Sequence, residues 1–323
     1  MTEQPTPNDL RAGFARAEDG QPLYWRSAGI GPALVCCNGA GVSTFFFKYL
    51  VKHFRPGFQV VVWDYRGHGR SPPPPEPIDQ ADLGVERAAA DLDVVLTDAE
   101  VEQPFVLVGH SMGVQVALEH LKSHPERAAA AVVALFGTSG RPVDTFLDLP
   151  LSRPVFDRLA KLLQRGGRLG SRFVLPLYGN APLAYRLAAA TGLLDGQLAE
   201  REDIAKYLEH LAAMDPRVFV RMVSQMADHD LDPWLPEVTV PVLVVAGERD
   251  LFTPLHRSER LAARVPGAEL HVVANGTHAA IVERPDEVNQ RIERFLAERL
   301  GLRLSDAGGD GDGDDRGPPP DPR

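Results

Sequence analysis

The chain has 323 residues, 44% of them hydrophobic and 24% charged, with a formal net charge of -10. This is the balance of a soluble globular protein, long for one average domain yet within reach of an α/β core carrying an inserted subdomain. The negative balance argues against a nucleic-acid partner, which needs a basic surface. The longest apolar run, 128–136, is too short to cross a bilayer, and the first nine residues lack the basic start and apolar run of a secretory signal. A cytoplasmic protein with no membrane partner is the expectation.

Residues 1–19 are expected to be an N-terminal extension. Strand-like runs then follow at 23–26, 33–37, 59–63, 105–108, 130–135, 242–245 and 269–273. From residue 33 on, most are continuously apolar, as strands buried on both faces of a parallel sheet should be. Cys36 and Cys37 fall inside one such run; a disulfide between neighbours would be strained, so they read as small apolar strand residues. The proline run at 72–75 reads as a surface loop. Helical periodicity appears at 82–99, 256–264 and 285–300, so the fold class is α/β with an open, mostly parallel sheet flanked by helices.

Between residues 140 and 236 the strand pattern stops. Helical stretches at 155–163, 183–191 and 201–214 are punctuated by Gly166-Gly167, Pro176 and Pro216. The expected organisation is a core of 20–139 and 237–303, a helical cap at 140–236 and an acidic, proline-rich tail at 304–323. In the tail, Asp310, Asp312 and Asp314 have calcium-loop spacing, but Asp315 stands where such a loop needs glycine. Disorder is the expectation there, and no metal site.

The chemistry-bearing segment is Gly109-His-Ser-Met-Gly113, a G-x-S-x-G pattern between a buried strand and a helix. Glycine and serine also occur in ordinary turns, so Ser111 needs partners to count as a nucleophile. The run 242–245 leads into Gly247-Glu-Arg-Asp250, and 269–273 leads into Asn275-Gly-Thr-His278. Three strand ends thus offer Ser111, Asp250 and His278 in the order nucleophile, acid, base. Singly, Asp250 could cap the following helix region, Thr253-Pro-Leu, and His278 could be an ordinary loop histidine; Glu248 and Asp144 are alternative acids. His110 is expected to pack rather than act, because neighbours at a sharp turn point apart. His229 in Ala227-Asp-His-Asp-Leu-Asp232 is expected in a solvated cap segment, not at a metal.

An oxyanion requires preorganised donors. The backbone amide of Met112 and one from the loop Asn38-Gly-Ala-Gly41, with Ala40 the candidate, are expected to supply them. Phe45 and Phe46, in the run Phe45-Phe-Phe47, are candidate pocket walls, with core packing the alternative for at least two of the three rings.

These segments, with Asp64-Tyr-Arg-Gly-His-Gly-Arg-Ser71, resemble the α/β-hydrolase-fold serine hydrolases over residues 20–300. The resemblance implies a structural turn at 64–71, so that His68 is not catalytic. It departs at Asn38-Gly39, where the family commonly has His-Gly; the backbone donors are unaffected. It implies a cofactor-independent hydrolase of a small, apolar carboxylic ester or lactone, a small-molecule substrate being the one partner expected. The same family also admits C–C bond hydrolysis, acyl transfer, cofactor-free perhydrolase or haloperoxidase activity, and ligand receptors without catalysis.

Overall fold

A computed structural model describes residues 10–127, 129–144, 153, 154, 158 and 194–304. Eight strands form one sheet: β1 (Leu10–Arg16), β2 (Pro22–Ala28), β3 (Ala33–Cys37), β4 (Gln59–Trp63), β5 (Phe105–His110), β6 (Ala129–Leu135), β7 (Val242–Gly247) and β8 (Glu269–Val273). Their order is β1-β2-β4-β3-β5-β6-β7-β8. The first two pairings are antiparallel and the remaining five parallel. The chain leaves β3 to one side for β4 and returns across it to β5, so the direction of winding reverses at β3 and β5. Open α/β sheets gather ligands at the carboxyl ends of the strands at such a reversal.

The expected extension 1–19 is corrected by β1, which pairs with β2 from Leu10↔Ala28 to Arg16↔Pro22. It is an edge strand with Leu10 and Phe14 exposed and only Ala15 fully buried. Ladder hydrogen bonds hold it where apolar burial is slight. The inner strands follow the opposite logic: every residue of β3, β5 and β7 is buried. Alternate side chains enter two cores. Val35, Val61 and Leu107 face one, with Leu92 and Val95 of α2 (Val85–Asp98) and Leu118 of α3 (Met112–Ser123). Leu34, Val60 and Val106 face the other, with Leu50 and Phe54 of α1 (Lys48–Phe54). Each such aliphatic side chain contributes about 1.5–3 kcal/mol on burial.

Cys36 and Cys37 are divided between these two cores, which rules out a bond between them. Burial pushes the Cys36 thiol well up and the Cys37 thiol up to about 12. A disulfide reagent at neutral pH should therefore titrate no thiol in the native protein and both in denaturant; rapid native reaction would contradict the packing.

Of the expected cap helices, 183–191 and all of 155–163 but residue 158 lie outside the described residues, as does the tail beyond 304. The third is α4 (Arg201–Ala213). Pro216, expected to interrupt, instead opens α5 (Pro216–Met226), capped by Asp215 accepting the Arg217 N–H at 2.9 Å. Proline suits the first turn because its missing N–H would have had no helical partner there. Two clasps join this part of the chain to the core. Buried Asp203 of α4 receives Lys48 Nζ and the Tyr49 hydroxyl, the latter at 2.9 Å. Glu283, in the short helix α7 (Ala280–Glu283) that follows α6 (Leu255–Arg264), accepts the Asp195 N–H at 2.7 Å and the Thr277 hydroxyl at 2.8 Å. The last helix, α8 (Pro285–Leu300), packs Val288, Ile292 and Phe295 into the second core and stops at Gly301, φ 68°.

The turn 64–71 after β4 is fixed by buried charge. Arg66 forks onto Asp91 of α2 with two 2.7 Å bonds and also reaches Asp19. Removing one partner of such a pair leaves the other charge buried and unpaired. Arg66→Met should cost about 3–5 kcal/mol, read as a fall in the urea midpoint; an unchanged midpoint would contradict that role.

Candidate active site

Ser111 joins β5 to α3 at φ 56° and ψ -120°. A non-glycine residue at positive φ costs on the order of 1–3 kcal/mol unless its surroundings over-determine it. The neighbouring glycines do so by permitting contacts no side chain could survive. A Cβ on Gly109 would lie 2.3 Å from the Gly113 carbonyl oxygen, and one on Gly113 would lie 2.0 Å from that of Cys37. The Ser111 N–H is tied to the Leu135 carbonyl at 3.0 Å. The serine is therefore pinned, yet partly exposed beside buried neighbours.

At the ends of β7 and β8, Asp250 Oδ2 and His278 Nδ1 are 2.8 Å apart. Asp250 also closes its own turn: Oδ1 accepts the N–H groups of Phe252 and Thr253, each at 2.8 Å, and Oδ2 takes the Thr253 hydroxyl at 2.7 Å. Asp250 thus bonds the turn that leads into α6, whose N-cap is Pro254, and also pairs with His278. Burial alone would raise this carboxyl, but the His278 ring and these hydrogen bonds outweigh it and hold it below the usual range. The alternatives are engaged elsewhere, Glu248 with the Asn275 N–H and Asp144 with Arg153. With Nδ1–H directed at Asp250, the His278 ring keeps a lone pair on Nε2. Ser111 Oγ has no hydrogen bond to His278 among the described residues, a contact that in free enzymes often forms only with substrate.

The loop 38–41 crosses directly in front of the serine: a Cβ on Gly39 would lie 3.0 Å from Ser111 Cβ. Met112 heads α3, where amides lack helical partners. Neither its N–H nor that of Ala40 meets a backbone acceptor among the described residues. The turn 64–71 braces the loop through several bonds. Tyr65 donates its hydroxyl to the Asn38 carbonyl at 2.7 Å, and the Gly41 N–H donates to His68 Nε2 at 3.1 Å. Asp64 accepts the Thr44 N–H at 2.8 Å. The Asn38 amide donates to the Trp63 carbonyl, which gives that departure from the family pattern a structural role.

Of two other histidines, His110 meets its expectation and His229 departs from it. His110 packs as expected, its ring 4.7 Å from Phe46, but its Nε2 also bonds the His278 carbonyl at 3.1 Å and so anchors the histidine loop. His229 is buried, not solvated, with Nδ1 2.9 Å from Gln115 Nε2 and Nε2 3.1 Å from Glu119. Its immediate neighbours in sequence, Asp228 and Asp230, are polar, and Gln115 and Glu119 of α3 meet its ring at long range. Phe46 and Phe47 enter the core, so Phe46 is no open wall; Phe45 stays half-buried, 6.2 Å from the His210 ring. Residues beside the loop and the histidine that sequence reasoning missed are Leu211 of α4 and Phe219 of α5, each about 3.0 Å from where a Cβ on Gly41 would lie, and Phe252, whose ring is 5.0 Å from His278. Among the described residues no cluster of three or more potential metal ligands occurs.

A "2-hydroxy-6-oxononadienedioate/2-hydroxy-6-oxononatrienedioate hydrolase 2" of Pseudomonas putida is 26% identical over 301 residues, covering 88% of this chain and 95% of its own. A protein of Caulobacter vibrioides named "Putative carbamate hydrolase RutD" is 30% identical over 265 residues, covering 80% of this chain and 88% of its own. Among solved structures, the enol-lactonase from Burkholderia xenovorans LB400 superposes with a TM-score of 0.71 at 20% identity, over 88% of this chain and 100% of its own; at that identity the likeness shows the fold alone. The model of the alpha/beta hydrolase family matches residues 34–291. With the sheet order, the pinned serine turn and that match in agreement, the chain belongs to the alpha/beta hydrolase family.

Proposed function

We propose that this protein is a serine hydrolase that cleaves a small, apolar carboxylic ester or lactone through an acyl-enzyme, without a cofactor. The observation that carries the reading is the 2.8 Å bond between Asp250 and His278 on the rim where Ser111 is held at positive φ. In this reading Ser111 Oγ attacks the substrate carbonyl while His278 Nε2 takes its proton. The amides of Met112 and Ala40 receive the oxyanion. The tetrahedral species collapses, the C–O bond breaks, and His278 returns the proton to the departing alkoxide. Water then gives a proton to Nε2 and attacks the acyl carbon; the acid leaves and Ser111 is reprotonated. Asp250 keeps the imidazole in the Nδ1–H tautomer and balances the charge that develops on it.

Phe45, Leu211, Phe219 and Phe252 around the loop and the histidine support an apolar acyl or alcohol group. The relatives named for dienedioate and carbamate substrates favour a second reading, in which the same groups cleave a C–C or carbamate bond. Initial rates on p-nitrophenyl acetate, butyrate and octanoate, a phenyl carbamate and a vinylogous 1,5-diketone separate the two. Ester turnover with a burst of p-nitrophenol supports the first; turnover of the carbamate or diketone alone overturns it.

A further inference from the structure

We propose that His68 is a positioning residue, whose Nε2 holds the Gly41 N–H and thereby fixes the loop amide at Ala40 that receives the oxyanion. The proposal rests on the serine hydrolase reading above. It begins with a tautomer that the structure dictates. His68 Nδ1 lies 3.0 Å from the Arg66 carbonyl, which can only accept, so the proton is on Nδ1 and the lone pair on Nε2. That lone pair meets the Gly41 N–H at 3.1 Å. The ring is 1% exposed, and burial pushes its pKa down to about 4, so the acceptor persists at neutral pH.

The loop needs such an anchor. Gly41 sits at φ +78°, and Leu211 and Phe219 of the cap lie about 3.0 Å from where its Cβ would be. A side chain there would be strained by the positive φ and crowded by both neighbours, and the glycine that avoids this leaves the backbone soft. Ala40 is flanked by two fixed points, the Asn38 carbonyl under Tyr65 and the Gly41 amide on His68, while its own N–H has no backbone acceptor among the described residues. His68 is itself immobilised, since the turn that carries it is bonded at Asp64 and Arg66 and pressed by Val218 of α5 against Gly67. A side-chain acceptor fixed on one side of a glycine-rich loop orients the peptide on the other. Oxyanion donors act through such preorganisation.

The test compares wild type, His68→Leu and His68→Gln on p-nitrophenyl butyrate. His68→Leu should lower kcat by about 10–100-fold, the scale of a displaced donor, with KM within about twofold. His68→Gln, whose Oε1 can take the Gly41 N–H, should recover kcat to within about threefold of wild type. Affinity for an alkyl boronic acid, which forms a tetrahedral adduct on serine, should fall in parallel with kcat, while inhibition by butyrate stays unchanged. A purely structural role would move all these quantities together, through the amount of folded protein. Wild-type kcat in His68→Leu overturns the proposal, as does equal loss in both variants. Should His68→Leu fail to fold, 15N NMR of histidine-labelled wild type decides: Nδ1–H on His68 supports the proposal and Nε2–H overturns it. Wild-type protein inert to both a fluorophosphonate and the ester would overturn the hydrolase reading itself, a result separate from every outcome above.

Discussion

Ser111→Ala is expected to lower kcat on p-nitrophenyl butyrate by at least about 10⁴-fold and to abolish covalent labelling by a fluorophosphonate. The variant keeps the Asp250–His278 pair and the loop 38–41, so substrate affinity should change little. What disappears is the one atom that, in the proposed mechanism, forms the acyl bond. Stability separates this from misfolding. Ser111 is held at φ 56°, so alanine inherits the same strain and the urea midpoint should hardly move. Glycine at 111 relieves the strain and should raise stability by up to about 1 kcal/mol while remaining equally inactive. Retained turnover in Ser111→Ala would end the serine mechanism.

Asp250→Asn should be nearly as damaging, with kcat down roughly 10⁴-fold, for a reason specific to this turn. Asp250 Oδ1 accepts two backbone N–H groups, from Phe252 and Thr253. The amide oxygen of asparagine must therefore take the Oδ1 position, which turns its NH₂ toward His278 Nδ1. The imidazole then accepts on Nδ1 and carries its proton on Nε2, where a base has to have a lone pair. Activity should recover partly at high pH, where hydroxide replaces the general base. Asp250→Ala, which leaves the ring free to choose its tautomer, should lose less than Asp250→Asn. The reverse ranking would show that charge, and not tautomer, is the main contribution of Asp250.

The central strands were legible because residues buried on both faces must be apolar at every position, as in Ala33–Cys37 and Val242–Gly247. The serine turn was legible because Gly109 and Gly113 are forced by contacts with backbone atoms. Strand Leu10–Arg16 was not, since an edge strand with little burial carries no apolar signal. Nor was the burial of His229, whose cover comes from Gln115 and Glu119, more than a hundred positions away. The same holds for the bracing of loop 38–41. Tyr65 and His68 each reach a partner 27 positions earlier, and spacing along one chain does not reveal which carbonyl or amide will lie opposite. Local rules identify residues that satisfy their own backbone; pairings made by the sheet order become visible only in three dimensions.

The backbone contact between Gly113 and Cys37 sets which parts of the site could change without loss of the proposed activity. Helix α3 and strand β3 touch through main-chain atoms, so the approach of the serine turn to the end of β3 is set by backbone, and Tyr65 and His68 then orient the loop 38–41. The residues around the site, among them Phe45, Leu211, Phe219 and Phe252, stand outside that seam. Directed evolution of the apolar surface should therefore retune which molecules are accepted while leaving the reacting groups in register, whereas a single methyl group at position 113 should disable every activity at once.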